Sequence, residues 1–240
     1  MKINTYGNRE NEAILLLHPM FTSADFFDFV IDKLSKDYYL IIPTYSGHYE
    51  NSTYISMQEE ENAIDSFLQE NSIKKLKAII GFSLGGNIAF HYFCQHRNDI
   101  DKVIIDSAPI FKFPAFVKNH FYKKYRKCLL NIKENPQNTV DELNKCFNGM
   151  GKYQQFTAPI VTLDSLKNLI ESCYNVETPK LDLNSEKKMT FIYGGKDIAR
   201  LCLPRIKKYK NSQIIKIDKS GHCSYFMTKT DEYIARLLNA

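Results

Sequence analysis

The stretch Lys77-Ala78-Ile79-Ile80-Gly81-Phe82-Ser83-Leu84-Gly85-Gly86-Asn87-Ile88-Ala89 decides how this chain is read. Lys77 to Ile80 reads as a short buried strand. From Leu84 onward the apolar residues Leu84, Ile88, Ala89, Tyr92 and Phe93 recur at helical spacing. Between the two lies Gly81-Phe82-Ser83-Leu84-Gly85, a G-x-S-x-G on a strand-to-helix turn. Such a turn forces its serine into a strained backbone conformation. The positions two residues away on either side must then lack side chains. The hydroxyl is lifted above the sheet edge, and the helix N-terminus is aimed at any negative charge that forms beside it.

Outward from this turn, short apolar runs alternate with helical patterns. Ala13 to Leu17, Tyr38 to Ile42, Val103 to Ile105, Met189 to Tyr193 and Ile214 to Ile217 read as further strands. Length alone does not separate such runs from buried helix, but the flanking Pro19, Pro43, Gly81, Pro109 and Gly194 favour strands. Ile64, Phe67 and Leu68 share one helical face, and Tyr233, Ile234, Leu237 and Leu238 make the last helix amphipathic. The pattern predicts an α/β fold: a mostly parallel central sheet with helices on both faces. From Pro109 to Ser185 the alternation stops. Only helical patterns remain, broken by Pro136, Gly149, Gly151, Pro159 and Pro179. That is longer than one crossover needs, so residues 109–185 are expected to form a helical cap insertion. Residues 1–108 and 186–240 are expected to form the core.

The 240 residues suit one such domain, and 44% hydrophobic with 25% charged residues is an ordinary globular composition. A net charge of +5, with no regularly basic stretch of groove-binding pattern, does not point to nucleic acid. Cys94, Cys128, Cys146, Cys173, Cys202 and Cys223 are scattered without metal-like spacing. No apolar run is long enough to span a bilayer, and no secretory signal opens the chain. Reduced thiols in a cytoplasmic protein are expected. No P-loop, dinucleotide fingerprint or His-x-x-x-His occurs, so no metal or organic cofactor is expected.

The serine turn and its context resemble the α/β-hydrolase superfamily, and the resemblance covers nearly the whole chain. Members carry an oxyanion-hole loop, commonly His-Gly-x-x, after an early strand; His18-Pro19-Met20-Phe21 occupies that place. Pro19 stands where glycine is usual and has no N–H to donate. The second oxyanion donor is therefore expected from the Met20 amide, with Phe21 as the lesser alternative, paired with the Leu84 amide. Pro43-Thr44-Tyr45-Ser46-Gly47-His48 is similar to a Pro-Asp-x-x-Gly-His loop of the family, with Thr44 for the usual Asp; it reads as structural.

A serine nucleophile needs a base. Of six histidines, His222 in Lys219-Ser220-Gly221-His222 follows the last strand and matches the family's histidine loop. His91 and His96 sit on the helix after Ser83, where surface or packing roles are expected. Tyr193-Gly194-Gly195-Lys196-Asp197 resembles the acid loop and gives the chain order Ser, Asp, His. Asp106, at the end of Val103 to Ile105, is the rival acid, because some relatives carry it one strand earlier.

The resemblance thus implies a Ser83–Asp197–His222 triad acting on a small-molecule acyl substrate, a carboxylic ester or a thioester. Carbon–carbon bond hydrolysis, a non-hydrolytic lyase reaction and a small-ligand receptor remain as alternatives. A serine at the turn sets aside the relatives that use an aspartate nucleophile there. No residue pattern names the substrate-binding side chains or an oligomeric state. Residues 109–185 carry eleven Lys/Arg against seven Asp/Glu, and the excess lies in the acid-free Lys118-to-Lys127 stretch. That stretch reads as the solvated face of an amphipathic helix, or as a field that gathers an anionic substrate.

Overall fold

The computed structural model describes residues 1–147 and 149–238; Asn148, Asn239 and Ala240, which fall within the expected domain spans, lie outside the described residues. The chain forms a seven-stranded sheet in the order β1-β3-β2-β4-β5-β6-β7. Its strands are β1 (Lys2–Tyr6), β2 (Ala13–Leu17), β3 (Tyr39–Thr44), β4 (Ala78–Phe82), β5 (Val103–Asp106), β6 (Met189–Gly194) and β7 (Gln213–Ile217). All neighbours pair in parallel except β1, which runs antiparallel along β3 from Lys2↔Thr44 to Tyr6↔Leu40. The fold class expected from the sequence is the one found.

Burial explains the pattern. Strands β2 to β6 are buried at every position, as parallel strands covered on both faces must be. Alternate residues feed the two faces: Leu15, Leu17, Ile79 and Ile105 join one apolar cluster, while Ile14, Leu16, Ile80 and Ile104 join the other. One face is covered by α2 (Met57–Glu70) and α3 (Leu84–His96). The other is covered by α1 (Asp28–Leu34) and the last two helices given below.

Strand β1 was not among the expected runs. Its mostly exposed residues Lys2-Ile3-Asn4-Thr5-Tyr6 carry no apolar signature, and its order comes from the backbone ladder to β3. Elsewhere the structure moves boundaries by a residue or two: β3 reaches Thr44, and β4 reaches Phe82.

Between β5 and β6 the described chain contains helices but no strand. These are α4 (Ala115–Glu134), α5 (Thr139–Phe147), α6 (Gly151–Gln154), α7 (Leu163–Tyr174) and α8 (Leu183–Lys187), the last of which crosses the expected boundary at Ser185. Helix α4 turns Phe121 and Tyr125 inward: Phe121 stacks on Tyr174 at 4.4 Å, and the Tyr125 and Tyr174 hydroxyls meet at 2.9 Å. Its Lys123, Lys124, Arg126 and Lys127 face solvent. After β6 come α9 (Leu203–Ile206), α10 (Ser224–Thr228) and α11 (Thr230–Leu237). Among the described residues no helix is long and apolar enough to cross a membrane.

Candidate active site

Ser83 stands between β4 and α3 with φ 53° and ψ −113°, a conformation that costs a side-chain-bearing residue about 1–3 kcal/mol. Close packing holds it there. A Cβ on Gly81 would lie 2.2 Å from the Gly85 carbonyl oxygen, and one on Gly85 would lie 2.2 Å from the Leu17 oxygen. The turn is thus pressed against the end of β2 with no room for a methyl group. Ser83 N–H donates to the Asp106 carbonyl at 2.8 Å, and the first turn of α3 contains no acidic residue. The helix N-terminus therefore faces the serine without a competing negative charge.

The loops after β6 and β7 are zipped together. Gly195 N–H donates to the Ile217 carbonyl and Lys196 N–H to the Ser220 carbonyl, both at 2.9 Å. A Cβ on Gly194 would strike the Ser220 oxygen at 2.4 Å. Across this seam His222 Nδ1 meets Asp197 Oδ1 at 3.0 Å. Asp197 is almost fully buried, and its Oδ1 also accepts the Ala199 amide at 2.9 Å. A carboxylate only accepts, so neutral His222 carries its proton on Nδ1 and leaves the lone pair on Nε2. Burial opposes the imidazolium, while the Asp197 carboxylate favours it and raises the His222 pKa above the ordinary histidine value. Burial likewise works against Asp197 ionising, yet His222 and the Ala199 amide bring its pKa below the ordinary value.

A third link joins these loops to the serine. Ser107, with φ 57°, accepts the Cys223 amide on its Oγ at 2.9 Å and donates to Asp106 Oδ1 at 2.8 Å. Asp106 O is in turn the acceptor for Ser83 N–H. The motifs do not point to Ser107; its position directly after β5 is the only signal it carries. Asp106 itself has no hydrogen bond to His222 among the described contacts. Burial pushes its pKa up to about 7, against the Ser107 hydroxyl that lowers it, and its Oδ2 has no partner.

The loop after β2 runs beside the serine turn, since the Gly85 position touches both the Leu17 and His18 carbonyls. His18 is fully buried, and Tyr45 N–H donates to its Nε2 at 3.2 Å, so Nδ1 bears the proton and donates to the Pro19 carbonyl at 2.8 Å. Burial, then His48, hold His18 well below the ordinary pKa, which keeps it neutral. Thr22 Oγ adds a second bond to the Pro19 carbonyl at 2.8 Å. No cis peptide occurs among the described residues, so the Met20 N–H is antiparallel to that carbonyl and points away from His18 and Thr22.

The remaining sequence candidates have structural partners. His48 is buried, its Nδ1 lies 3.2 Å from the Ser46 carbonyl, and burial brings its pKa to about 4. Thr44 Oγ1 accepts the Ala24 amide at 3.0 Å. His91 pairs with the buried Glu61, and His96 with Asp65.

The family model described as the alpha/beta hydrolase fold matches residues 12–226, and the chain belongs to that family of hydrolases. A human serine hydrolase-like protein is 27% identical over 116 residues, which cover 44% of this chain and 54% of that protein. The chain therefore spans about half the length of that curated relative. Among solved structures, a marine microorganism esterase superimposes with TM-score 0.76 at 17% identity, covering 98% of this chain and 97% of that one. An α/β-hydrolase family protein from Desulfitobacterium hafniense gives TM-score 0.75 at 18% identity, over 99% and 98% of the two chains.

Proposed function

We propose that this hydrolase cleaves a small-molecule carboxylic ester or thioester through an acyl-enzyme on Ser83. The observation that carries the reading is the strained Ser83 turn, linked through Asp106 and Ser107 to the loop that bears the Asp197–His222 pair. His222 Nε2 takes the hydroxyl proton as Ser83 Oγ bonds to the substrate carbonyl carbon. The carbonyl oxygen becomes an oxyanion held by the Leu84 and Met20 amides. When the tetrahedral intermediate collapses, the bond to the leaving oxygen or sulfur breaks and that atom receives the proton from His222. Water then bonds to the acyl carbon, passes its proton to His222, and the acid leaves as Ser83 Oγ regains the proton. Asp197 holds the Nδ1–H tautomer throughout and stabilises the imidazolium.

That one structural neighbour is an esterase agrees with this reaction. The helical segment between β5 and β6 is read as the cap that selects the acyl substrate. All six cysteines are free, which agrees with a reducing, cytoplasmic setting. A fluorophosphonate probe tests the reading: intact mass and peptide mapping should find one adduct, on Ser83, and none in Ser83→Ala. An adduct on another residue in wild type would overturn it. A panel of acyl esters and thioesters of graded length then identifies the bond cleaved.

A further inference from the structure

Met20 is held from two sides, and only one of them belongs to the sheet. Gln154, the last residue of α6, is 3% exposed, and its Nε2 donates to the Met20 carbonyl at 3.1 Å. The carboxamide has one sensible orientation here, because the reverse would set two acceptors against each other. Its Oε1 is consequently buried without a hydrogen-bond partner. The bond from Nε2 ties the end of α6 to the loop after β2.

Gln154 is itself fixed by its neighbours. Gly151 N–H donates to Asn144 Oδ1 at 2.9 Å, and a Cβ on Gly151 would lie 2.4 Å from the Val140 oxygen, so α6 sits tightly on α5. Next to Met20, the buried Phe21 adopts φ 65°, and its ring packs edge-on against Phe147 at 5.2 Å and Tyr125 at 6.2 Å. Both partners come from the helical segment between β5 and β6.

These contacts fix the two peptide planes that flank Met20. His18 and Thr22 hold the Pro19 carbonyl, which sets the plane carrying the Met20 N–H. Gln154 holds the Met20 carbonyl, which sets the following plane. Rotation at Met20 that swings its N–H must break bonds on one side or the other.

We infer that Gln154 is a positioning residue which, through the Met20 carbonyl, sets the direction of the oxyanion-hole amide. The helical segment then tunes the chemical step as well as substrate access. This rests on the proposed roles of Ser83, Met20 and Leu84.

The test compares wild type, Ser83→Ala, Gln154→Met and Gln154→Glu. Gln154→Met keeps the side-chain volume without a donor; Gln154→Glu keeps the shape and sets a carboxylate against the Met20 oxygen. The readouts are the second-order rate of fluorophosphonate labelling, kcat and KM on a p-nitrophenyl ester, and Kd for phenylboronic acid. Loss of the donor should lower kcat and the labelling rate about tenfold, with KM within about twofold. Boronate affinity should weaken by the same factor, because its adduct also places an anionic oxygen in the hole. Wild-type labelling and kcat in the Gln154 variants, with Ser83 still the labelled residue, would overturn the inference and leave the nucleophile standing. A raised KM at unchanged kcat would also overturn it, making Gln154 a substrate contact. An adduct away from Ser83 in wild type would remove the reading beneath it. Should Gln154→Met fail to fold, the isosteric Gln154→Glu decides the question.

Discussion

His222 Nδ1 lies 3.0 Å from Asp197 Oδ1, whereas Asp106, a second buried acid at the end of the neighbouring strand, engages the Ser107 hydroxyl with its Oδ1. Two carboxyl groups at neighbouring strand ends are therefore given different work by their partners. Asp197, ionised and bonded to His222, is suited to hold a tautomer. Asp106, with its pKa near 7, is suited to remain a proton-bearing structural group.

The first prediction follows directly. Asp197→Asn should lower kcat on the order of 10³–10⁴-fold by removing the acceptor that fixes the His222 tautomer. Asp106→Asn should stay within about tenfold of wild type, since Asn can still accept from Ser107. Steady-state kinetics on an ester substrate decides, and the reverse ranking would move the acid role to Asp106.

The raised pKa of His222 sets the pH dependence of the base. The working form is the neutral imidazole, so the acid limb of the kcat/KM profile should have its midpoint above the ordinary histidine value of 6.5. Below that midpoint His222 is protonated and cannot accept the Ser83 proton. In Asp197→Asn the attracting charge is gone, and the midpoint of the residual activity should shift to lower pH. A wild-type midpoint below 6.5 would contradict the electrostatics described.

Much of this arrangement was legible in the sequence, for physical reasons that also show where legibility ends. Strands β2 to β6 are buried on both faces, so each announces itself as an apolar run. The Gly81 and Gly85 positions leave no room for a methyl group, so the Ser83 turn is written in residue types. Strand β1 is held by backbone bonds at an edge and needs no particular side chains. Phe21, Ser107 and Cys223 adopt positive φ without glycine, so no residue type marks them. The Gln154–Met20 bond joins positions 134 residues apart, which no local pattern encodes.

Asp106 should also be visible in stability. Its pKa in the folded protein, about 7, is raised above the ordinary aspartate value of 3.8 chiefly by burial. Folded protein thus keeps a proton that unfolded chain releases between roughly pH 4 and 7, and over that window this group makes stability fall as pH rises. Asp106→Asn removes the titration. Relative to wild type, the variant should gain on the order of a few kcal/mol between pH 4.5 and 7.5 in urea unfolding. Parallel pH dependences for the two proteins would show that Asp106 does not hold that proton.

The basic face of α4 has two readings, a solvated surface and a field that gathers an anionic substrate. Lys118 is partly neutralised by Glu171. Lys123, Lys124, Arg126 and Lys127 stand exposed on a stretch that contains no acid. Phe121 and Tyr125 point inward, so the helix has the amphipathic form that by itself accounts for charges facing water. A role beyond solvation requires that these charges raise the local concentration of an anionic substrate. Such an effect acts over about a Debye length, ~10 Å at 0.1 M ionic strength, and weakens as salt is added. Matched anionic and neutral esters separate the two readings. With steering, kcat/KM for the anionic ester should fall with ionic strength while the neutral ester stays nearly level. Lys123→Glu/Lys124→Glu should then flatten or reverse the anionic slope and leave kcat unchanged, because the field alters encounter rather than chemistry. Equal slopes for both esters, untouched by the double substitution, would leave this face as a solvated surface with no part in substrate selection.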